Sequence, residues 1–385
     1  MSELNCISFA EHLNGCYGSY RIEAFKSRHF SPETLHTIIS ELASKSSGLI
    51  STQEIGKSFE GRSIRLITVG QGKTTVLLWS QMHGDESTAT MAIADILNYF
   101  ALQSNDESVR TILSSLHLLF LPMLNPDGAA RFQRRTAQRI DINRDAIALE
   151  TPEARALDNV REQWRPHFGF NLHDQELSTV GSSKNLSAIA LLAPSFDAEK
   201  SDNEVRTKAK HLAATFASVM KQYIPNNLAR YDDSFEPRAF GDTMQGLRTS
   251  TVLVESGHWM NDPEKNFIRK LNFIGILSSL YAIAAGEYER TDISIYEHLP
   301  VNSKKAYDLI IRNILIDHSN GKSTQADFGI SYQVDTHMES TPKLVDFGDL
   351  QPFVGLREID GKGKMILHSL LVLGEKFEWE QFFKA

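Results

Sequence analysis

The run Gln81-Met82-His83-Gly84-Asp85-Glu86 holds a His-x-x-Glu pair directly after the apolar stretch Thr75 to Trp79. An imidazole and a carboxylate three residues apart at a strand end can converge on one point, which is half of a tetrahedral zinc site. His173, in Phe170-Asn171-Leu172-His173-Asp174, ends another short apolar run and offers a third ligand. Two nitrogens and one carboxylate, with a fourth position open, is the ligand count of a catalytic zinc rather than a closed structural one. An isolated His-x-x-Glu carries little weight in a chain with 13 His and 48 Asp plus Glu. Most such pairs are a surface histidine and a solvated glutamate.

The neighbouring segments change those odds. Asn125-Pro126-Asp127-Gly128 follows the apolar run Leu116 to Leu124. Arg134-Arg135 comes next, then Asp141-Ile142-Asn143-Arg144-Asp145. Thr251-Val252-Leu253-Val254-Glu255-Ser256-Gly257 ends one more apolar run in a carboxylate. In this order the segments resemble the zinc metallocarboxypeptidases of the carboxypeptidase A type. That family shows His-x-x-Glu, Asn-Pro-Asp-Gly, an Arg, Asp-x-Asn-Arg, a second His and a strand-ending Glu. Upstream, Ile55-Gly56-Lys57-Ser58-Phe59-Glu60-Gly61-Arg62 is similar to the stretch that leads into the family's first strands. The resemblance covers roughly residues 30 to 290.

The resemblance implies a role for each residue. One Zn²⁺ per chain would sit on His83, Glu86 and His173. Asp141 would accept the second ring N–H of His83, as carboxylates beside metal-bound histidines commonly do. Glu255 would be the general base, and a glutamate ending an apolar run is costly unless paired or useful. Arg135 would stabilise the tetrahedral oxyanion, with Arg134 an open alternative and Arg131 and Arg139 in the same loop. Asn143 and Arg144 would hold the substrate's terminal carboxylate, for which a planar guanidinium is suited. The family continues Asn-Arg-Asn, whereas Asp145 follows here; it is expected to orient Arg144 or to discourage some substrates. Tyr231 stands nearest to the family's mobile Tyr. The specificity pocket should draw on Phe235 to Arg248, where Arg238 or Arg248 would favour an acidic side chain and Asp242 a basic one. The bland alternatives are a capping Asp141, an ion-paired Glu255 or Arg144, a solvated basic loop around Arg135 and a surface Tyr231.

These residues need a scaffold, and 385 residues suffice for one large domain plus an appendage. Hydrophobic and charged shares of 41% and 23% are those of an ordinary globule. A net charge of −8 argues against nucleic-acid or anionic-membrane partners. Cys6 and Cys16 are the two cysteines, so thiolates cannot make up the metal site and no disulfide framework is indicated. Met1 to Tyr20 lacks a signal-like apolar core, and no stretch is expected to span a bilayer; the default location is cytoplasmic. Helical patterns cover Pro32 to Ala43, Ser87 to Leu102, Thr151 to Trp164, Glu204 to Tyr223 and Asp262 to Ala285. Strand patterns cover Ile64 to Val69, Thr75 to Trp79, Leu116 to Leu121, Ser187 to Leu192 and Thr251 to Glu255, with Gly70-Gln71-Gly72 reading as a hairpin or adjacent-strand turn. This alternation predicts an α/β fold: a doubly wound, mainly parallel (mixed) sheet with helices on both faces, its ligands at the strand C-termini. The expected division is a catalytic domain over 1–290 and a small β-rich appendage over 291–385, with Ala306 to Leu315 helical and strands at Phe328 to Val334, Pro352 to Leu356 and Met365 to Leu373.

The expected function is hydrolysis of C-terminal residues from a peptide, or of a small amide, bearing a free carboxylate. A deacylase of N-acyl amino acids on the same fold would use the same ligands. A two-zinc aminopeptidase, with Asp85 bridging, would need a downstream Glu-Glu pair, and the chain has none. A non-catalytic binding member of the fold is disfavoured by retention of ligands, base and arginines together.

Overall fold

A computed structural model describes residues 5–334 and 340–382. In chain order the strands are β1 (Ile50–Lys57), β2 (Ser63–Val69), β3 (Thr74–Ser80), β4 (Leu116–Leu121), β5 (Phe168–Asp174), β6 (Thr179–Val180), β7 (Ile189–Leu192), β8 (Leu228–Arg230), β9 (Ser250–Ser256), β10 (Asn302–Ser303), β11 (Ala306–Asp317), β12 (Ser323–Val334), β13 (Ser340–Gly348), β14 (Val354–Asp360) and β15 (Met365–Leu367). The main helices are α1 (Cys6–Cys16), α2 (Pro32–Lys45), α3 (Thr88–Leu102), α4 (Glu107–Ser115), α5 (Pro126–Ala130), α6 (Pro152–Trp164), α7 (Glu204–Met220), α8 (Phe240–Gly246), α9 (Asn266–Ala284) and α10 (Ser294–Glu297).

Among the described residues, eight strands form one mixed sheet in the order β1-β2-β4-β3-β5-β9-β7-β8. Its centre, β4-β3-β5-β9, is parallel throughout. The four strands therefore deliver their C-terminal ends to one edge, where an open α/β sheet binds ligands. Side chains alternate across the sheet. Val76, Leu78, Phe170, Leu172, Val252 and Val254 face a core built with α1, α2, α3, α4, α7 and α9. Leu77 and Trp79 face the other way, into a smaller core with α6 and α8. His173 and Glu255 follow Leu172 and Val254 and so point away from the first core.

Two local expectations fail. Gly70-Gln71-Gly72 does not join neighbours, because β4 is inserted between β2 and β3. The turn lies against the α4–β4 junction instead: Gly72 N–H donates to Leu116 O at 3.1 Å, and a Cβ at Gly72 would come within 1.9 Å of Ser115. Ala306 to Leu315 is strand rather than helix. A bulge between Ile311 and Ile314, with Asn313 at φ 60°, shifts the inward face and gives Leu309, Ile310, Ile311 and Ile314 a helix-like spacing. Their β-branched content suits a strand.

Nor does the sequence lack a helix of membrane-spanning length. α9 is long and apolar enough by length and composition, but 83% of that window is buried in the fold, as befits a core helix. Its Arg269 is fully buried against Asp95 at 2.5 Å, and Asp95 also accepts from Tyr17 Oη and Ile22 N–H. This ties the N-terminal segment to α3 and α9. Removing one partner of such a buried pair costs about 3–5 kcal/mol.

The second sheet, β13-β12-β11-β14 with β15 beside β11, has its own core around Ile311, Phe328, Leu344 and Trp379. The expected 290/291 boundary falls within material that packs on the first core, since Tyr296 and Leu299 belong to it. β13 escaped the sequence reading; its inward residues are few and its burial mostly partial.

Candidate metal centre and substrate cleft

The loop after β3 is shaped by the Asn-Pro-Asp-Gly segment. Asn125 caps α5 through Gly128 N–H and donates from Nδ2 to Met82 O and Arg134 O. A Cβ on Gly84 would sit 2.0 Å from Gly128 C, so only glycine permits this close approach. Asp127 is fully buried and accepts from Ser58 Oγ, Glu60 N–H and the Arg62 guanidinium. The Ser58-to-Arg62 turn is thereby bolted to the same loop. Gln81 takes a left-handed φ of 49° to start it. These motifs hold position and touch no reacting group.

What they position is a buried cluster. His83 Nδ1 lies 2.7 Å from Glu86 Oε1, and His173 Nδ1 lies 2.8 Å from Glu86 Oε2. The three ligand atoms fall within 4.8 Å of one another. On its far side His83 Nε2 meets Asp141 Oδ1 at 3.0 Å. That bond fits a ring proton on Nε2 held by Asp141, which leaves Nδ1 as the nitrogen that a metal would use. His173 Nε2 is buried without a partner. Two imidazole nitrogens and a carboxylate gathered at one buried point fit a zinc donor set.

The charges are mutually adjusted. Burial pulls His83 down, but Glu86 and Asp141 outweigh it and hold the imidazole up at about 9. Burial would raise Glu86, yet the two histidines hold it well below the usual carboxylate range. Burial likewise opposes the ionised form of Asp141, and His83 and Arg134 overcome it. The Glu86 and Asp141 carboxylates are thus held ionised beside the imidazoles.

Glu255 is the register partner of His173 on the adjacent parallel strand, about 4.8 Å away across the sheet. Its Oε2 is buried with no hydrogen-bond partner among the described residues. Burial, reinforced by Glu86, pushes its carboxyl well above the usual range. Both residues line a cleft of about 690 Å³ shared with His83, Glu86, Asn143, Arg144 and Tyr231.

Arg135 is not in that cleft: its guanidinium donates to Arg139 O at 3.2 Å. Arg134 takes the place, reaching Glu86 Oε1 at 3.0 Å and Asp141 Oδ2 at 3.1 Å. The Arg134 carbonyl is tethered by Gly84 N–H and Asn125 Nδ2. This tether fixes the backbone at Arg134, whose side chain reaches the cluster, while that of Arg135 turns back on its own loop. Nothing in the spacing of two adjacent arginines carries that information.

Asn143 Oδ1 accepts from Phe240 N–H at 2.9 Å, and Arg144 Nε lies 3.5 Å from Glu236. The expected influence of Asp145 on Arg144 is absent. Both Asp145 oxygens are taken by Glu150 N–H, Thr151 N–H and Thr151 Oγ1, a brace for the start of α6. The sequence reading missed Glu236, which is paired with Arg238 as well; its distance along the chain from Arg144 hid it. Of the residues left open for specificity, Asp242 lines the cleft and burial raises it to about 6. Arg238 and Arg248 lie outside. Tyr231 lines the cleft, and the Glu255 carboxylate, with burial, raises its phenol.

Behind His173, Asp174 Oδ2 accepts from Thr88 Oγ1, Arg28 and Lys265, and Asp174 N–H donates to Glu86 Oε2 at 3.1 Å. Lys265 is buried, which lowers its ammonium to about 8. Arg28, Asp174, His258 and Lys265 all border the cleft, and none was singled out from sequence as a site residue.

Comparison with known proteins agrees with this geometry. The zinc carboxypeptidase family matches residues 35–234, just over half of the chain. Carboxypeptidase 2 of Trichophyton tonsurans is 27% identical over 152 residues, 37% of this chain and 28% of that protein. Carboxypeptidase M of Mus musculus is 24% identical over 189 residues, 45% of this chain and 41% of that protein. The chain therefore spans well under half the length of these relatives. A metallo-carboxypeptidase from Burkholderia cenocepacia superposes with a TM-score of 0.55 at 18% identity, covering 67% of this chain and 70% of that one. Carboxypeptidase A from Helicoverpa armigera gives 0.54 at 16% identity, covering 72% and 80%. At such identities the structural likeness speaks for the fold, and the family match for kinship. With its His-Glu-His donor set and its mixed sheet, the chain belongs to the zinc carboxypeptidase family.

Proposed function

We propose that this protein removes C-terminal residues from peptides, using zinc held by His83, Glu86 and His173. The observation that carries the reading is the side-by-side placement of His173 and Glu255, a ligand and an unpartnered buried carboxylate, over a cleft that also contains Arg144. Zinc at that point supplies Lewis acidity, lowering the pKa of water and polarising a carbonyl. Glu255 takes a proton from the attacking water and returns it to the departing amine. Arg134 faces the carbonyl oxygen as charge develops. Asp141 keeps His83 in one tautomer and anchors the Arg134 guanidinium at the same time. Asn143 and Arg144 grip the terminal carboxylate, with Glu236 giving up Arg144 to the substrate. Asp242 favours a basic terminal side chain.

Glu255→Gln tests the reading because it keeps shape and removes the base. Zinc content and fold should be unchanged, while peptide turnover falls by ~10²–10⁴-fold. Near-normal turnover would make Glu255 structural and end this mechanism.

A further inference from the structure

The cleft has a wall that does not come from the family-matched segment. Residues 300–304 run between the loop that follows His173 and the end of β8. On one side β10 pairs with β6, Gly181 N–H donates to Val301 O at 3.0 Å, and Asn302 Nδ2 donates to Gln175 Oε1 at 2.9 Å. On the other, Arg230 N–H donates to Pro300 O at 2.8 Å. Lys304 pairs with Glu176 at 2.8 Å, both highly exposed, so that bridge adds little. The strap leads directly into β11, and Asp308 accepts from Tyr332 N–H of β12 at 2.9 Å. Asn302, Lys304 and Asp308 border the same cleft as Glu255 and His173.

We propose that this strap, which leads into the C-terminal sheet, is a chain-length stop that restricts the enzyme to short peptides. The inference rests on the carboxypeptidase reading. Asn143 and Arg144 approach His83 from the Asp141 side, whereas the strap approaches from the loop after His173. A peptide gripped by its end at Arg144 and crossing the metal centre runs toward the strap. The strap is fastened along both edges by backbone hydrogen bonds, so it does not yield as a free loop would. A cleft of about 690 Å³ is of the size that encloses a drug-sized molecule, the bulk of a short peptide and not of a long chain.

The test is a dipeptide, tetrapeptide and octapeptide series sharing one C-terminal pair, assayed with the zinc-loaded full chain and with Asn302→Ala/Lys304→Ala. Wild type should lose roughly tenfold in kcat/KM from tetrapeptide to octapeptide, the worth of about 1.4 kcal/mol, and the double variant should flatten that fall while leaving the dipeptide unchanged. Wild-type rates independent of length, or a double variant that changes all three peptides alike, would overturn the stop. Affinities of zinc-loaded Glu255→Gln for the same peptides, read by calorimetry, separate the two claims. A length limit in binding with no wild-type turnover would remove the peptidase reading and keep the stop. Absence of binding by every peptide would overturn both.

Discussion

The site is made of two kinds of region. His173 and Glu255 lie at the ends of adjacent parallel strands, and His83 and Glu86 on the short loop after β3; all four are buried. Arg134, Asn143, Arg144 and Tyr231 come from loops; Arg134 and Arg144 are 45% and 43% exposed at their side chains and each pairs with carboxylates of its own. The first group is fixed by the sheet, since register alone brings His173 to Glu255. The second is fixed by tethers and ion pairs: Asn125 on Arg134, Glu236 on Arg144. Chemistry that must be exact in position is buried at the C-terminal edge of the sheet, and chemistry that must open to admit a substrate lies on more exposed loops.

That contrast predicts unequal costs. The largest falls on the strand ends. His173→Ala removes one of the three proposed ligands from a buried cluster and leaves Glu86 with His83 and Arg134. Metal analysis should find about one zinc per chain in the native protein and close to none in the variant, with turnover falling to background. Full zinc retention would show that the cluster is not the metal site.

Next come the adjacent arginines. Arg134→Ala should lower kcat by ~10²–10³-fold, the usual worth of one oxyanion-stabilising donor, with a smaller effect on KM. Arg135→Ala should leave both constants unchanged. Equal losses, or a loss confined to Arg135→Ala, would return the role to Arg135 and refute the tether through Asn125.

The same contrast explains what could be read in the chain. Apolar runs ending in His or Glu announce buried strand ends, because burying such a residue is costly without a purpose. His83, Glu86, His173 and Glu255 were legible for that reason, as were α2 with its Ser31 cap and α6 with Pro152 in its first turn. The loop assignments were less so. Choosing Arg134 over Arg135 depends on which carbonyl Asn125 tethers, and Asp145 was misjudged because its true partners, Glu150 and Thr151, lie just beyond it and ask for a cap. β11 was misread where a bulge mimics helical spacing. The strap was hidden because β10 and β6, 124 residues apart at the Thr179–Ser303 hydrogen bond, are too short to leave a periodic signal. The insertion of β4 between β2 and β3 is a matter of topology, which the Gly70-Gln71-Gly72 turn does not encode.

The smallest of these effects bears on the central claim, that a substrate held by its free end is presented to Glu255 and the metal centre. Losing a charge-assisted hydrogen bond costs about 1.5–3 kcal/mol, roughly one to two decades in binding. The decisive measurement is kcat/KM for one short peptide in free-acid and C-terminally amidated forms, with wild type and Arg144→Ala. Wild type should cleave the free acid one residue at a time and prefer it strongly, and Arg144→Ala should weaken the free acid and close most of the gap. Equal cleavage of both forms by wild type would contradict the account.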